Sequence, residues 1–236
     1  MNSQVLYNKW RPNTFANVVG QETITFTLAQ SVTSSKLAHS YLFSGPRGTG
    51  KTSTARILAK AINCLDAKNG EPCNSCSICT TSDQGQALDL IEIDAATHRQ
   101  VSDTQEIIEK ILFMPAESKH KVYIIDEVHM LSGTSFNAFL KTLEEPPAHA
   151  IFILCTTEAH KLPPTVISRC QRFDFRRIPT DSITDRLSHI CKKEEFTTTP
   201  EALHMISRAC RGSLRDACNL LEQASISGGK SITIES

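Results

Sequence analysis

The feature that most restricts this chain is the run Gly45-Pro46-Arg47-Gly48-Thr49-Gly50-Lys51-Thr52, a complete G-x4-G-K-T sequence. It lies between the apolar residues 41–43 and a helical pattern over residues 51–63. That strand-loop-helix setting separates a phosphate loop from an ordinary glycine turn. Glycines let the backbone fold tightly so that successive N–H groups face one anion, and the following helix adds the positive end of its dipole. Lys51 is expected to reach the β- and γ-phosphates of a nucleotide, and Thr52 to offer a hydroxyl to Mg²⁺, which prefers oxygen ligands.

Such a loop needs a sheet to spring from. Short apolar runs at residues 41–43, 88–93, 122–125 and 151–155 are continuous rather than alternating, the signature of strands buried on both faces of a parallel sheet. The fold class is therefore α/β. Helices are expected over residues 21–35, with a face of Ile24, Phe26, Leu28 and Val32, and over 51–63, 102–113 and 135–144, the last stopped by Pro146 and Pro147. Strand signals end with residues 171–175, and three helical patterns come after them near 181–195, 200–211 and 213–227. Pro200 marks one helix start and Gly212 separates the last two. The expected organisation is a nucleotide-binding core over residues 1–178 and a helical domain over 179–236. Gly228, Gly229 and the residues after them are expected to be a linker or frayed end, the chain stopping short of a partner domain.

Composition matters for the classes it excludes. Lys plus Arg and Asp plus Glu are both 25, which gives none of the basic footprint of a free-standing nucleic-acid binder. The longest purely apolar runs are about five residues, against the ~20 that span a bilayer. The first twelve residues lack an apolar signal core and a small-residue cleavage site, so a cytoplasmic location without membrane contact is expected.

Two further clusters carry chemistry. The apolar run 122–125 ends in Asp126-Glu127. Asp126 stands where a phosphate-loop protein places the residue that organises Mg²⁺, and Glu127 is a carboxylate able to polarise an attacking water. Thr157 ends the next run in Cys155-Thr156-Thr157; it could sense a γ-phosphate, but threonines cap strands and helices in every kind of protein. The other cluster is Cys64-x8-Cys73-x2-Cys76-x2-Cys79. Four thiolates satisfy tetrahedral Zn²⁺, and short C-x2-C steps let a turning backbone present them to one ion. The polar residues between them could not hold a loop by burial, so structural Zn²⁺ at 64–79 is favoured over a redox pair or an iron–sulfur cluster. The other cysteines, 155, 170, 191, 210 and 218, are expected to be small core residues. His98, His120 and His129 have no metal-ligand spacing and are expected in solvent or core roles.

With these motifs go longer blocks: Lys9-Trp10-Arg11-Pro12, Val18-Val19-Gly20-Gln21-Glu22, residues 41–45 and 90–96, Ile125-Asp126-Glu127-Val128-His129-Met130-Leu131, Phe139-Leu140-Lys141-Thr142-Leu143-Glu144-Glu145-Pro146-Pro147, Ser168-Arg169-Cys170 and Gly212-Ser213-Leu214-Arg215-Asp216. Together they resemble the γ/τ clamp-loader subunits of bacterial DNA polymerase III, a family of AAA+ ATPases. The resemblance covers nearly the whole chain. It implies a five-stranded parallel sheet followed by a three-helix lid, with ATP and Mg²⁺ between them. It also implies a sensor role for Thr157, a second sensor at Arg215 on the lid, and an arginine finger at Arg169 acting on a neighbouring subunit. On sequence alone a surface salt bridge is the ordinary reading of either arginine. The implied partners are other clamp-loader subunits, a ring-shaped sliding clamp and primer-template DNA. ATP binding would open and place the clamp and hydrolysis would release it. Family members continue into a helical collar, without which the chain is expected to be monomeric. Two alternatives stay open: a non-hydrolysing AAA+ scaffold subunit, and another AAA+ DNA motor, in which the cysteine loop would be unexpected. No polymerase site is legible.

Overall fold

The computed structural model describes residues 5–97, 109–229 and 231–232. The four apolar runs and the last strand signal, at 171–175, become five strands: β1 (Ser40–Ser44), β2 (Leu90–Asp94), β3 (Lys121–Asp126), β4 (Ala150–Thr156) and β5 (Gln171–Asp174). All pair in parallel, in the order β2-β3-β4-β1-β5. Residues of β1 and β4 are buried throughout, because both faces of a central parallel strand are covered by its crossover helices.

Side-chain alternation divides the core in two. Tyr41, Phe43, Ile124, Ile151, Ile153 and Cys155 point to one side, against helices α2 (Glu22–Thr33) and α3 (Lys51–Asn63). Leu42, Tyr123, Ile125, Phe152 and Leu154 point to the other, against Phe136, Phe139 and Leu143 on the helix Gly133–Glu144. There Phe139 meets Phe152 edge-on at 5.1 Å; removing so buried a ring typically costs about 3–5 kcal/mol.

The edge strands depart from the fully buried expectation. Only Ile93 of β2 and Phe173 of β5 are buried, since an edge strand has one neighbour and partial cover. Leu88 lies outside β2 and is exposed. On α2, Ile24, Leu28 and Val32 face the core as expected, whereas Phe26 is exposed and Thr25 buried. The helix expected over 102–113 lies mostly outside the described residues, as does His98. Helix α4 (Ser77–Asp83), which no sequence pattern announces, carries Cys79. With it in chain order, the helix Gly133–Glu144 is α5. It starts at Gly133, ahead of the expected 135, because Ser132 caps it by accepting from the Ser135 amide at 3.1 Å. A short α6 (Pro164–Ile167) follows β4.

Three further helices follow β5: α7 (Thr180–Glu194), α8 (Pro200–Ala209) and α9 (Leu214–Gly228). Ile183, Leu187, Ile190 and Cys191 recur at helical spacing on α7 and are buried. Thr199 and Ser213 cap α8 and α9 by accepting from the Ala202 and Asp216 amides. The expected frayed end is corrected as far as Ile232, residue 230 and residues 233–236 lying outside the described residues. Helix α9 runs through Gly228, and a two-residue β7 (Ser231–Ile232) pairs with β6 (Thr197–Thr198), burying Ile232. The chain's start joins this third core: α1 (Leu6–Lys9) brings Leu6, Tyr7 and Trp10 against the helices. Trp10 Nε1 donates to Glu194 at 2.8 Å, and Lys9 makes an ion pair with the same carboxylate. Cys155, Cys191, Cys210 and Cys218 are buried as expected, while Cys170 is half-buried. Among the described residues, no helix is long and apolar enough to cross a membrane.

Candidate active site

Parallel strands put their carboxyl ends on one edge, where open α/β sheets bind ligands. Adjacent strands β1, β4 and β3 therefore bring the phosphate loop, Thr157 and Asp126-Glu127 together. Gly45, Gly48 and Gly50 have φ of 144°, 74° and 102°, which suit glycine and strain other residues. Thr49 Oγ1 donates to Pro46 O at 2.8 Å, and α3 starts at Lys51 directly from the left-handed Gly50. Lys51 is 6% exposed, and its Nζ donates to the Gly45 and Pro46 carbonyls at 2.8 Å each. Burial lowers its pKa. Thr52 Oγ1 donates to Asp126 Oδ2 at 2.7 Å. A hydroxyl beside a carboxylate is the hard-oxygen donor set that Mg²⁺ takes.

Glu127 adopts a left-handed φ of 47°, which turns its carboxylate towards β4. Its Oε2 accepts from Thr157 Oγ1 at 3.0 Å and from the Thr157 amide at 3.3 Å. His129, expected in a solvent or core role, is tied into this edge instead. Its Nδ1 lies 2.9 Å from Thr156 Oγ1 and 3.4 Å from Glu127 Oε2, and its Nε2 lies 3.2 Å from Glu158.

Arg47 to Thr52, Asp126 and Glu127 face a cavity of about 670 Å³, also lined by Tyr7, Trp10, Val18, Val19, Arg186 and Arg215; Thr157 and His129 are not among its lining residues. Arg215, on the first turn of α9, stacks over the Tyr7 ring at 4.7 Å. The helical group touches the loop directly: the Leu214 amide donates to Gly48 O at 3.0 Å. A Cβ on Gly48 would lie 2.0 Å from Ser213 Oγ. Gln21 stitches the loop to the chain leaving β5, donating to Arg176 O at 2.7 Å and to Thr49 O at 3.4 Å. Arg169 is elsewhere. Its guanidinium donates to Thr165 O and Glu144 Oε1, each at 2.7 Å, and it is not among the residues facing this cavity. Sequence reasoning gives Tyr7, Trp10, Val18, Val19, Gln21 and Arg186 no site role. Blocks 9–12 and 18–22 are visible as motifs, but only tertiary contact turns them towards the loop.

The four cysteines converge on a second site. Their sulfurs all lie within 4.8 Å of one another, and Cys64 and Cys76 Sγ are 4.0 Å apart. Zn–S bonds of about 2.3 Å would set tetrahedral S···S distances near about 3.8 Å, so the cluster fits the ion. Hydrogen bonds from Ser75 and from the Cys76 amide pull the Cys73 thiol down to about 5, whereas burial pushes Cys64 and Cys79 up.

A family model described as DNA polymerase III, delta subunit, matches residues 20–179. A second, described as DNA polymerase III clamp loader subunit, ATPase lid domain, matches residues 182–230. The DNA polymerase III subunit tau of Bacillus subtilis is 52% identical over 100% of this chain and that of Escherichia coli 48% over 100%, while subunit gamma of Buchnera aphidicola subsp. Baizongia pistaciae is 45% identical over 99%. The chain spans 42%, 36% and 63% of those relatives' own lengths. Among solved structures, the Thermotoga maritima RuvB Holliday junction branch migration motor superposes with a TM-score of 0.70 at 18% identity, covering 96% of this chain and 70% of that one. A single-residue variant of that motor gives 0.69 at 17%, covering the same shares. At that identity the likeness establishes the AAA+ fold alone.

Proposed function

The chain belongs to the DNA polymerase III clamp-loader subunit family, and from that membership we propose that it is an ATPase whose cycle serves to load a ring-shaped sliding clamp on primed DNA. One observation carries the ATPase reading: Lys51, the Thr52–Asp126 pair, Glu127 and Arg215 all face a single cavity. The division near residue 179 is kept in this reading as core and lid. The segment from α1 to Val19 is shared between them, since it packs on the lid while facing the phosphate loop.

In this reading Gly45 to Thr52 bind ATP phosphates through backbone N–H groups, and Lys51 supplies the counter-charge. Thr52 and Asp126 hold Mg²⁺, which when bound neutralises charge on the β- and γ-phosphates. Glu127 takes the proton of the attacking water, and Thr157 aims Glu127 through the two hydrogen bonds it donates. Arg215 carries the state of the phosphates to the lid. Arg169 stabilises the transferring phosphoryl group of a neighbouring subunit. Partners are then other loader subunits, the clamp and primer-template DNA, in the cytoplasm, with the chain by itself monomeric. The scaffold alternative is disfavoured because Lys51, Thr52, Asp126 and Glu127 are all present and face one cavity. The other-motor alternative is disfavoured by the lid match over residues 182–230 and by the cysteine loop.

We assign the four cysteines to structural zinc. Protein purified without added metal should carry one tightly held Zn²⁺ per chain. Metal analysis giving a value near zero, or iron with visible absorption, would sink the assignment.

A further inference from the structure

Glu71 reaches out of the cysteine loop to the wall of the nucleotide cavity. Its two carboxylate oxygens accept from the Phe15 and Ala16 amides at 2.7 and 2.8 Å. Those amides begin the 3-10 turn Phe15–Asn17, where a helix start leaves donors without internal partners. Phe15 is 2% exposed and anchors the turn in the sheet core, while Asn17, Val18 and Val19 immediately beyond it face the cavity. The carboxylate thus holds the strap that forms one wall of the site.

Glu71 is itself held firmly. Reciprocal bonds between Lys68 and Glu71, at 3.2 and 3.0 Å, close a tight turn. Asn69 and Gly70 at its tip have φ of 53° and 79°, the left-handed pair of a type I′ hairpin. A Cβ on Gly70 would come within 2.0 Å of Ala29 O, so the turn is seated on α2 without slack. From the other side, Lys60 of the phosphate-loop helix, only 3% exposed, donates to Asn74 Oδ1 at 2.6 Å and to Asp83 Oδ1 at 2.7 Å. The cysteine loop therefore joins α2, α3 and the strap.

We propose that Glu71 is a positioning residue for the nucleotide site, through which order in the cysteine loop is coupled to nucleotide affinity; this rests on the nucleotide and zinc readings above. A loop of this composition depends on its metal for order. Linkage requires the coupling to be reciprocal: whatever factor the metal adds to nucleotide binding, nucleotide adds to metal binding.

The test uses the full chain with a fluorescent ADP analogue, zinc content measured on every sample. Glu71→Ala should weaken binding roughly 5- to 50-fold, within the usual range of coupling between sites, with zinc retained and kcat at saturating ATP unchanged within about twofold. Glu71→Gln, whose amide oxygen still accepts one bond, should fall between. A merely structural residue would lower the melting temperature and leave the affinity unmoved, and that result overturns the proposal. If Glu71→Ala does not fold or sheds its zinc, the wild-type chain decides. In competition with a chelator, saturating ADP should raise zinc affinity by a comparable factor, and no change overturns the coupling. A wild-type chain that binds no ADP overturns the nucleotide reading and this proposal with it. A wild-type chain that binds ADP beside an equally tight Glu71→Ala overturns this proposal alone.

Discussion

Glu127→Gln should keep ATP bound while hydrolysis slows by at least roughly 10²-fold, the lower range for losing a positioned base. The geometry separates the two effects. Glutamine matches the shape of glutamate and still offers an oxygen to Thr157, which donates to Glu127 through both its hydroxyl and its amide; the ability to take a proton is lost. Lys51→Ala should do the opposite. The Lys51 ammonium sits within the loop on the Gly45 and Pro46 carbonyls. Removing a buried phosphate counter-charge worth about 1.5–3 kcal/mol should weaken ATP binding roughly 10- to 100-fold. Equilibrium binding and single-turnover hydrolysis on both variants separate the roles. An equal loss of affinity in the two would refute them, and a wild-type chain inert even in an assembled loader would favour the scaffold reading.

Arg169→Ala should leave nucleotide binding by the chain alone nearly unchanged, yet cripple ATP turnover once subunits assemble. The residue is tied to Glu144 and Thr165 and does not face its own chain's cavity, so in the proposed reading its effect is felt only across an interface. Arginine fingers contribute on the order of 10³–10⁵ in rate in GTPases, and a loader with weaker coupling would show less. Mixing Arg169→Ala chains with Lys51→Ala chains in an assembly is decisive. In one neighbour orientation an intact phosphate loop meets an intact Arg169, and activity should return in part, although neither variant forms such a site alone. If confirmed assemblies of the mixture stay inactive, or if Arg169→Ala already abolishes ATP binding by the single chain, Arg169 is no more than half of its surface ion pair with Glu144.

How much of the molecule is legible in its sequence depends on how local each signal is. Helix α3 begins and ends where expected, because a left-handed Gly50 precedes it and an extended Cys64 succeeds it. Four of the five strands of the main sheet are visible as apolar runs, but the edge exposure of β2 and β5 depends on sheet order, which no run encodes. Helix α1 has only four residues, too few for periodicity, and Glu194, which holds the Trp10 beside it, lies 184 residues further on. His129 looks idle in the sequence because its partners Thr156 and Glu158 lie at the end of another strand; only the β3-β4 pairing brings them within reach. Two residues carry no pattern, so β7 cannot be told from a tail, and its pairing with β6 closes across α8 and α9. The cysteine spacing and the phosphate loop are legible in full, since each is a short run whose chemistry is set by neighbours in the chain.

The Leu214–Gly48 contact has a further consequence. Leu214 is the first residue of α9, and the first four amides of a helix have no acceptor within it. The protection of this proton from deuterium exchange thus comes from the Gly48 carbonyl, on the other side of the cavity. Each excursion of the helical group away from the phosphate loop lays that one N–H bare. The logarithm of its protection factor, scaled by RT, is then the free energy of the least costly opening that breaks this bond, and so a lower bound on that of moving the helical group off the loop. A single backbone amide thereby bounds the open fraction of the molecule in solution, without a label and without turnover.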